Sequence, residues 1–368
     1  MASLNAASLT TELSQSPKAK VDKTTLKFGH TFTDHMLSCE WDAATGWSAP
    51  RITPYQNLSL DPATCVFHYG FECFEGMKAY KDKAGKVRLF RPDMNMARLR
   101  RSGARIALPD FEGDQLIAAI KEFLKVDHDW IPEGQGYSLY IRPTFIGTQK
   151  TLGIGPVGSA MIFVIASPVG PYYPSGFKAI SLWATSDQVR AWPGGFGDAK
   201  LGANYAPGVT AQAAVAARGY EQNLWLNGAE HNVGEVGTSN LFIVWVNEQG
   251  DKEIITAPLD GTILAGVTRD SILALARERL PDYKVTEALF TMPQVMQAAK
   301  EGRLMEAFGA GTAVVTAPVK KIHYMGTDID VPLQAGKEAG AIAEQMLGWI
   351  TGIQYGDEPG HPWSVIVD

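Results

Sequence analysis

A chain of 368 residues, 45% hydrophobic and 20% charged with 37 glycines and 21 prolines, has a folded, turn-rich composition. It is too long for one ordinary core and is sized for two domains of about 150–200 residues each. A formal net charge of −6, with no basic cluster longer than Arg98-Leu99-Arg100-Arg101, argues against a nucleic-acid partner.

The three cysteines, Cys39, Cys65 and Cys73, form no C-x-x-C pair, which argues against a disulfide framework or a sulfur-rich metal site and favours a reducing compartment. The seven histidines fall at no recognised metal-ligand spacing, so no metal is expected. No apolar run approaches the ~18 residues of a spanning helix, so no membrane association is expected.

Residues 1–25 read as a flexible leader without the apolar core of a secretory signal. Residues 28–47 mix aromatics with a turn, and 49–64 read as loop and short strands. From Val66, His68 and Gly70 to Cys73–Tyr80 the apolar positions alternate loosely as strand, and 86–90 adds a short strand. Pro92 opens a helical pattern over 91–108, and Leu116, Ile117, Ile120, Phe123 and Leu124 repeat with helical period over 112–125. Residues 138–147 alternate as a strand with Tyr140 and Arg142 on one face, and 160–168 form an apolar, buried strand.

Two prolines and two glycines mark 169–176 as an interdomain linker. The expected organisation is a small N-terminal α/β domain over 26–168 and a large C-terminal α/β domain over 177–368, mixed α+β in character. In the second half, 177–185 restarts a strand and 205–217 reads as a helix of small residues. A strand, an Asn227-Gly228 turn and a strand to about Val246 follow. Helices are expected over 268–280, 293–302 and 336–349, with strands around 284–290 and 303–322 and a Gly/Pro-rich tail.

Two glycine clusters resemble nucleotide fingerprints. Gly153, Gly155 and Gly158 form a literal G-x-G-x-x-G, but Pro156 interrupts it and a strand follows, so dinucleotide binding is not expected. Gly309, Gly311 and Thr312 also lack a following helix; they read as either an anion-binding nest of N–H groups or a simple tight turn. Lys200 stands out. Between Arg190 and Arg218 the only other charge is Asp198, and glycines 194, 195, 197 and 202 and aromatics Trp192, Phe196 and Tyr205 surround the lysine. An amine desolvated there would be a stronger nucleophile toward an aldehyde; the alternative is a loop lysine reaching solvent.

Eight segments in order, FGHTFTDHML, FHYGFECFEGMKAY, RLFRPDMNMARL, SLYIRPTFIG, DAKLGANYAP, EVGTSNLFIVW, GVTRDSIL and GAGTAVV, resemble the branched-chain aminotransferases. These are pyridoxal-phosphate enzymes of fold type IV, the D-amino-acid-aminotransferase-like fold, and the chain looks most like their eukaryotic branch over about residues 25–365. The resemblance implies a homodimer with the cofactor between two domains. It implies ping-pong transfer of the amino group of L-leucine, L-isoleucine or L-valine to 2-oxoglutarate, giving the branched 2-oxoacid and glutamate, in the cytoplasm or the mitochondrial matrix.

Carried onto this sequence, Lys200 corresponds to the lysine that forms the Schiff base and moves the catalytic proton. Glu235 corresponds to the carboxylate facing the pyridine nitrogen, and Tyr205 to the tyrosine bonding the ring 3′ oxygen. Arg98, the N–H groups of Val267 and Thr268, and Thr312 correspond to the phosphate site. Thr312 and Ala313, with Tyr69 from the partner subunit, would take the substrate α-carboxylate. Phe28, Phe74, Tyr140, Tyr172 and Thr238 would line the side-chain pocket, Arg142 would meet the γ-carboxylate of glutamate, and Leu152 and Ile154 would close the neighbour's pocket across the dimer.

Three positions depart from the family. Val314 and Ala317 stand where mammalian members carry a redox-active C-x-x-C, so no such switch is expected, and Ala265 replaces a common proline in AGVTR. The rival readings are a type IV transaminase acting on D-amino acids, simple amines or a pathway-specific hydrophobic amino acid, a lyase of the same fold, and a non-catalytic interaction protein.

Overall fold

A computed structural model describes residues 2–171 and 178–367, and it divides into two compact units. The first unit comprises Met1–Tyr172, Ala199–Gly202 and Gly352–Asp368. Its elements in chain order are β1 (Thr10–Thr11), β2 (His35–Asp42), β3 (Gly46–Trp47), β4 (Arg51–Pro54), α1 (Cys65–Tyr69), β5 (Glu72–Phe74), β6 (Met77–Lys81), β7 (Val87–Phe90), α2 (Pro92–Arg105), α3 (Gly113–Val126), β8 (Ser138–Gly147) and β9 (Ser159–Val169). Together with a C-terminal strand, Ser364–Val367, the strands form one sheet in the order β1-β4-β2-β9-β8-β6-β7-C-terminal strand, with β3 on β2 and β5 on β8.

The longest pairing, β8 with β9, runs antiparallel from Ser138↔Val169 to Gly147↔Ala160. The period-2 pattern of β8 sends Leu139, Ile141 and Phe145 into a closed core and leaves Tyr140, Arg142 and Thr144 partly exposed on the opposite face. Ile120, Phe123 and Leu124 of α3 are fully buried, and α3 packs on β2 and α2.

Four features differ from the sequence reading. Residues 2–25 are not a loose leader: Leu4 is buried, the Ala2 N–H donates to the Thr45 carbonyl, and Thr10 and Thr11 pair in parallel with Arg51 and Ile52. The polar composition of this segment hid its backbone pairing to an edge strand. Cys65–Tyr69 is a short helix rather than a strand, closed by left-handed Gly70 (φ 62°), whose N–H returns to the Val66 carbonyl. The tail supplies a strand, Ser364–Val367 pairing antiparallel with β7. Val169, read as the first linker residue, is the last residue of β9; of that segment, residues 172–176 lie outside the described residues.

The second unit comprises Tyr173–Asp198 and Ala203–Thr351. Its elements are β10 (Ile180–Thr185), α4 (Gly208–Ala216), β11 (Gln222–Asn227), β12 (Asn232–Val236), β13 (Ser239–Val246), β14 (Lys252–Thr256), α5 (Val267–Arg279), β15 (Lys284–Glu287), α6 (Met292–Lys300), β16 (Leu304–Gly311), β17 (Val315–Tyr324), β18 (Thr327–Asp330) and α7 (Ala341–Gln354), whose last residues fall in the first unit.

The sheet of this unit runs β12-β11-β10-β17-β16-β13-β14-β15, with β18 on β17 and β12 also pairing with β13. Leu182, Leu224, Ile243, Ala307, Val319 and Ile322 form its core with Met292 and Val295 of α6. A capping box between Thr291 and Gln294 starts α6. The helix read over 205–217 begins only at Gly208, after Pro207, and β14 was not legible as a separate strand.

Among the described residues, no helix is long and apolar enough to cross a membrane, and no group of three or more His, Cys, Asp or Glu side chains is placed to hold a metal ion.

Candidate functional site

The first unit holds Lys200 on a short segment clamped by its backbone. The Lys200 N–H donates to Ser102 Oγ at 2.8 Å, its carbonyl accepts from the Phe74 N–H at 3.1 Å, and Leu201 bridges Cys73. The next N–H but one, of Gly202, donates to Glu72 Oε2 at 2.9 Å, and a Cβ built on Gly202 would lie 2.2 Å from that oxygen, so only glycine allows the approach. The Lys200 ammonium sits 4.6 Å from the centroid of the Phe74 ring. The residue is half-buried, which departs from the solvated loop lysine.

Around it, Arg142 Nη2 donates to Tyr140 Oη at 2.9 Å, and the guanidinium lies 4.7 Å from the Phe74 centroid. Phe28 meets Tyr140 edge-on at 4.8 Å. A Cβ on Gly76 would lie 2.0 Å from Tyr140 Oη, so glycine makes room for that phenol. Burial pushes the Glu72 carboxyl up, partly opposed by the Gly202 N–H and the cations Arg142 and Lys200. Two buried polar atoms here, Arg142 Nε and Ser167 Oγ, have no partner among the described residues, and Ser167 pairs across the sheet with Tyr140. Phe28, Phe74, Tyr140, Arg142 and Lys200 are thus brought together.

Arg98 projects from α2 into the interior of the same unit. Its Nε and Nη2 donate to Glu75 Oε1 and Oε2 at 2.7 and 2.8 Å, and Asn95, one helical turn earlier, donates to Glu75 Oε2 at 2.8 Å. Burial pushes the Glu75 carboxyl up, but the charge and hydrogen bond of Arg98, the Lys200 cation and the Asn95 amide together hold it below the ordinary value.

Tyr69, Leu152 and Ile154 form a separate, exposed group. Tyr69 Oη donates to the Leu152 carbonyl, and Leu152 and Ile154 are 65% and 77% exposed, with Phe67 near Tyr69 in sequence at 61%.

The second unit carries the other half of the expected residues. Glu235 on β12 is buried, and its Oε1 accepts from the Leu264 N–H at 2.6 Å and from Asn240 Nδ2 at 3.4 Å. Its Oε2 pairs with Arg190 Nε at 2.9 Å. Asn240 Nδ2 also donates to the Leu264 carbonyl, and its Oδ1 would lie 2.1 Å from a Cβ on Gly266. The carboxylate is thereby tied to the start of α5, where Gly266 is the N-cap and no side chain caps the helix. The first-turn N–H groups at Val267 and Thr268 have no intrahelical acceptor, an arrangement that favours an anion.

Thr312 and Ala313 occupy the turn joining β16 to β17, where Gly311 closely approaches Ser239 and Val315 takes φ 61°. Thr238 lies exposed in the turn between β12 and β13, and Tyr205 is half-buried ahead of α4. Tyr172 lies outside the described residues.

The sequence reading did not single out Glu72, Glu75, Asn95, Ser102, Arg190 or Asn240 as site residues. The only legible signal was the doubled Phe-Glu of FECFEG, two carboxylates three apart among aromatics.

The profile of the family Amino-transferase class IV matches residues 72–322. A protein of Schizosaccharomyces pombe named branched-chain-amino-acid aminotransferase, mitochondrial, is 56% identical over 92% of this chain and 80% of its own length. A Saccharomyces cerevisiae protein named branched-chain-amino-acid aminotransferase, cytosolic, is 52% identical over 97% of this chain and 95% of its own. Among solved structures, the branched-chain aminotransferase of the thermophilic archaeon Thermoproteus uzoniensis with norvaline superposes with a TM-score of 0.71 at 26% identity, covering 90% of this chain and 99% of that one.

Proposed function

The chain belongs to the branched-chain-amino-acid aminotransferases of class IV, and from that membership we propose how its own residues carry out reversible transamination between L-leucine, L-isoleucine or L-valine and 2-oxoglutarate. The residues present fit pyridoxal phosphate: a half-buried lysine for its aldehyde, a buried carboxylate for its ring nitrogen, and an uncapped helix start for its phosphate. When bound, this cofactor supplies the carrier of the amino group and the sink for the electrons released at the substrate Cα.

Lys200 would hold the cofactor at its aldehyde carbon and would serve as the positioned base for the proton at the substrate Cα. Glu235 keeps the ring nitrogen protonated and Tyr205 orients the ring oxygen. Arg98, Val267, Thr268 and Thr312 hold the phosphate. Phe28, Phe74, Tyr140, Tyr172 and Thr238 exclude water from the aliphatic side chain, and burying that surface is worth about 25 cal/mol per Å². Arg142 and Tyr140 receive the γ-carboxylate of glutamate, while Thr312 and Ala313 take the α-carboxylate.

The exposed group Tyr69, Leu152 and Ile154 supports a homodimer in which these residues complete the partner's pocket. Three free, buried cysteines suit a reducing compartment, which we take to be the cytoplasm; the relatives include proteins named for both cytosol and mitochondrion.

The observation that carries this reading is Lys200, clamped through its backbone, with its ammonium 4.6 Å from the Phe74 ring centroid. Its test is a single half reaction: L-leucine is added to cofactor-loaded protein without an oxoacid while the absorption spectrum is followed. Conversion of the cofactor to its amine form is expected. Conversion by D-alanine or an arylalkylamine but not L-leucine would leave the transaminase and replace the substrate.

A further inference from the structure

Arg190 belongs to no part of the reading above, yet it is firmly held beside Glu235. Its Nε lies 2.9 Å from Glu235 Oε2, and both side chains are almost completely buried. Nη1 donates to the Gly197 and Thr262 carbonyls at 3.2 and 3.1 Å, and Nη2 donates to the Gly197 carbonyl at 3.2 Å. Three hydrogen bonds to backbone from two separate loops fix the plane of the guanidinium, so the cation cannot turn away from the carboxylate. The other oxygen of Glu235 is engaged by Leu264 and Asn240. A carboxylate has about four lone-pair sites, so it can serve several donors at once.

We propose that Arg190 is a positioning residue that decides where a proton shared between Glu235 and the cofactor's ring nitrogen resides, holding it on the nitrogen. This rests on the reading of Glu235 given above. A buried carboxylate left to itself is driven toward its neutral form, which would move the shared proton onto oxygen. The guanidinium lies 2.9 Å from the carboxylate oxygen, and a ring nitrogen bound on the other side of that carboxylate would lie farther from the cation. It therefore repels a proton on the oxygen more strongly than one on the nitrogen. With an effective dielectric of about 20, a difference of a few ångströms from one unit charge biases that distribution by about tenfold to a hundredfold. Arginine suits this role because it stays charged when buried and its planar fork is held by several acceptors at once.

The test uses holoenzyme loaded with pyridoxal phosphate labelled with ¹⁵N at the ring nitrogen and read by solid-state ¹⁵N NMR near neutral pH. The wild-type protein is expected to show a protonated nitrogen, and Glu235→Gln an unprotonated one. Arg190→Gln should shift the signal most of the way to the unprotonated position and lower kcat in both half reactions by about tenfold to a hundredfold, the same bias as above. Arg190→Lys, which keeps a cation, should stay closer to wild type. If Arg190→Gln does not load with cofactor, Arg190→Met, which keeps the packing of the stem, is read the same way. A wild-type nitrogen shift in the uncharged variants would overturn the proposal, because a purely structural arginine would alter melting temperature without moving the proton. Wild-type protein that takes up no label would instead overturn the assignment of the cofactor.

Discussion

Glu75 and Arg98 form a two-pronged ion pair inside the first unit, with Nε–Oε1 and Nη2–Oε2 distances of 2.7 and 2.8 Å and neither side chain open to solvent. The pair fixes the direction of the guanidinium assigned to the cofactor phosphate, and Asn95 fills a further acceptor position on Glu75. Glu75→Gln would leave the Arg98 charge buried without its counter-ion, and removing one partner of such a pair costs about 3–5 kcal/mol. Chemical denaturation at pH 7 should show that loss, with weaker uptake of pyridoxal phosphate. Because Glu75 is held below its ordinary value of 4.5, its contribution is complete above that pH and is lost as pH falls through the lower folded value. The stability gap between wild type and variant should therefore narrow in acid.

Lys200→Ala should keep the fold, because the contacts that fix this segment are made by backbone: the N–H to Ser102, the carbonyl from Phe74 and the Gly202 N–H to Glu72. The circular dichroism spectrum and melting temperature should stay close to wild type. Turnover should fall by more than the about 10²–10⁴-fold that a positioned acid–base group supplies, since the covalent link to cofactor is lost as well. Borohydride reduction should no longer fix cofactor to the chain, and a variant that still trapped it there would remove Lys200 from its role.

Lys78 provides a pH test on β6, where it pairs across the sheet with Tyr140. Burial pushes its ammonium down to about 8 from 10.5. The folded protein thus releases this proton at lower pH than the unfolded chain does, and between about pH 8 and 10.5 the unfolded state binds more protons. The contribution of Lys78 to stability should rise with pH across that window and be flat below it. Melting temperatures of wild type and Lys78→Met, compared from pH 7 to 10.5, should show the difference changing only there.

The thiols should be silent in the native protein. Burial pushes Cys39 up to about 12 and Cys73 well above the ordinary value, and raises Cys65 as well. Since the thiolate is the reactive form, iodoacetamide at pH 8 should leave native protein unmodified and label all three cysteines, Cys39, Cys65 and Cys73, after unfolding. With Val314 and Ala317 in place of a thiol pair, a mild oxidant should leave turnover unchanged.

Repeating periods were readable without coordinates. The strand over 138–147 matches β8 residue for residue, and the helices begun by Pro92 and ending near Val126 and Arg279 appear within a few positions, because alternation and 3.6-residue repeats record which face is buried. The family motifs were likewise legible, since each is a run of adjacent residues: DAKLGANY around Lys200, EVGT around Glu235 and GVTR at the start of α5.

What remained hidden lies at long sequence separation or in the backbone. No local pattern pairs Arg190 with Glu235, Glu75 with Arg98, or Lys200 with Ser102, because each partner is a common residue type whose meaning depends on which strands and loops adjoin. The N-terminal pairing to β4 and the C-terminal strand against β7 escaped for the same reason: main-chain hydrogen bonds carry no side-chain signature. The sequence by itself determined the family and the apolar faces of the main elements, and it pointed to Lys200. Tertiary structure alone decided which buried charges neutralise one another, because that depends on distances of a few ångströms in a medium where an unpaired charge is costly.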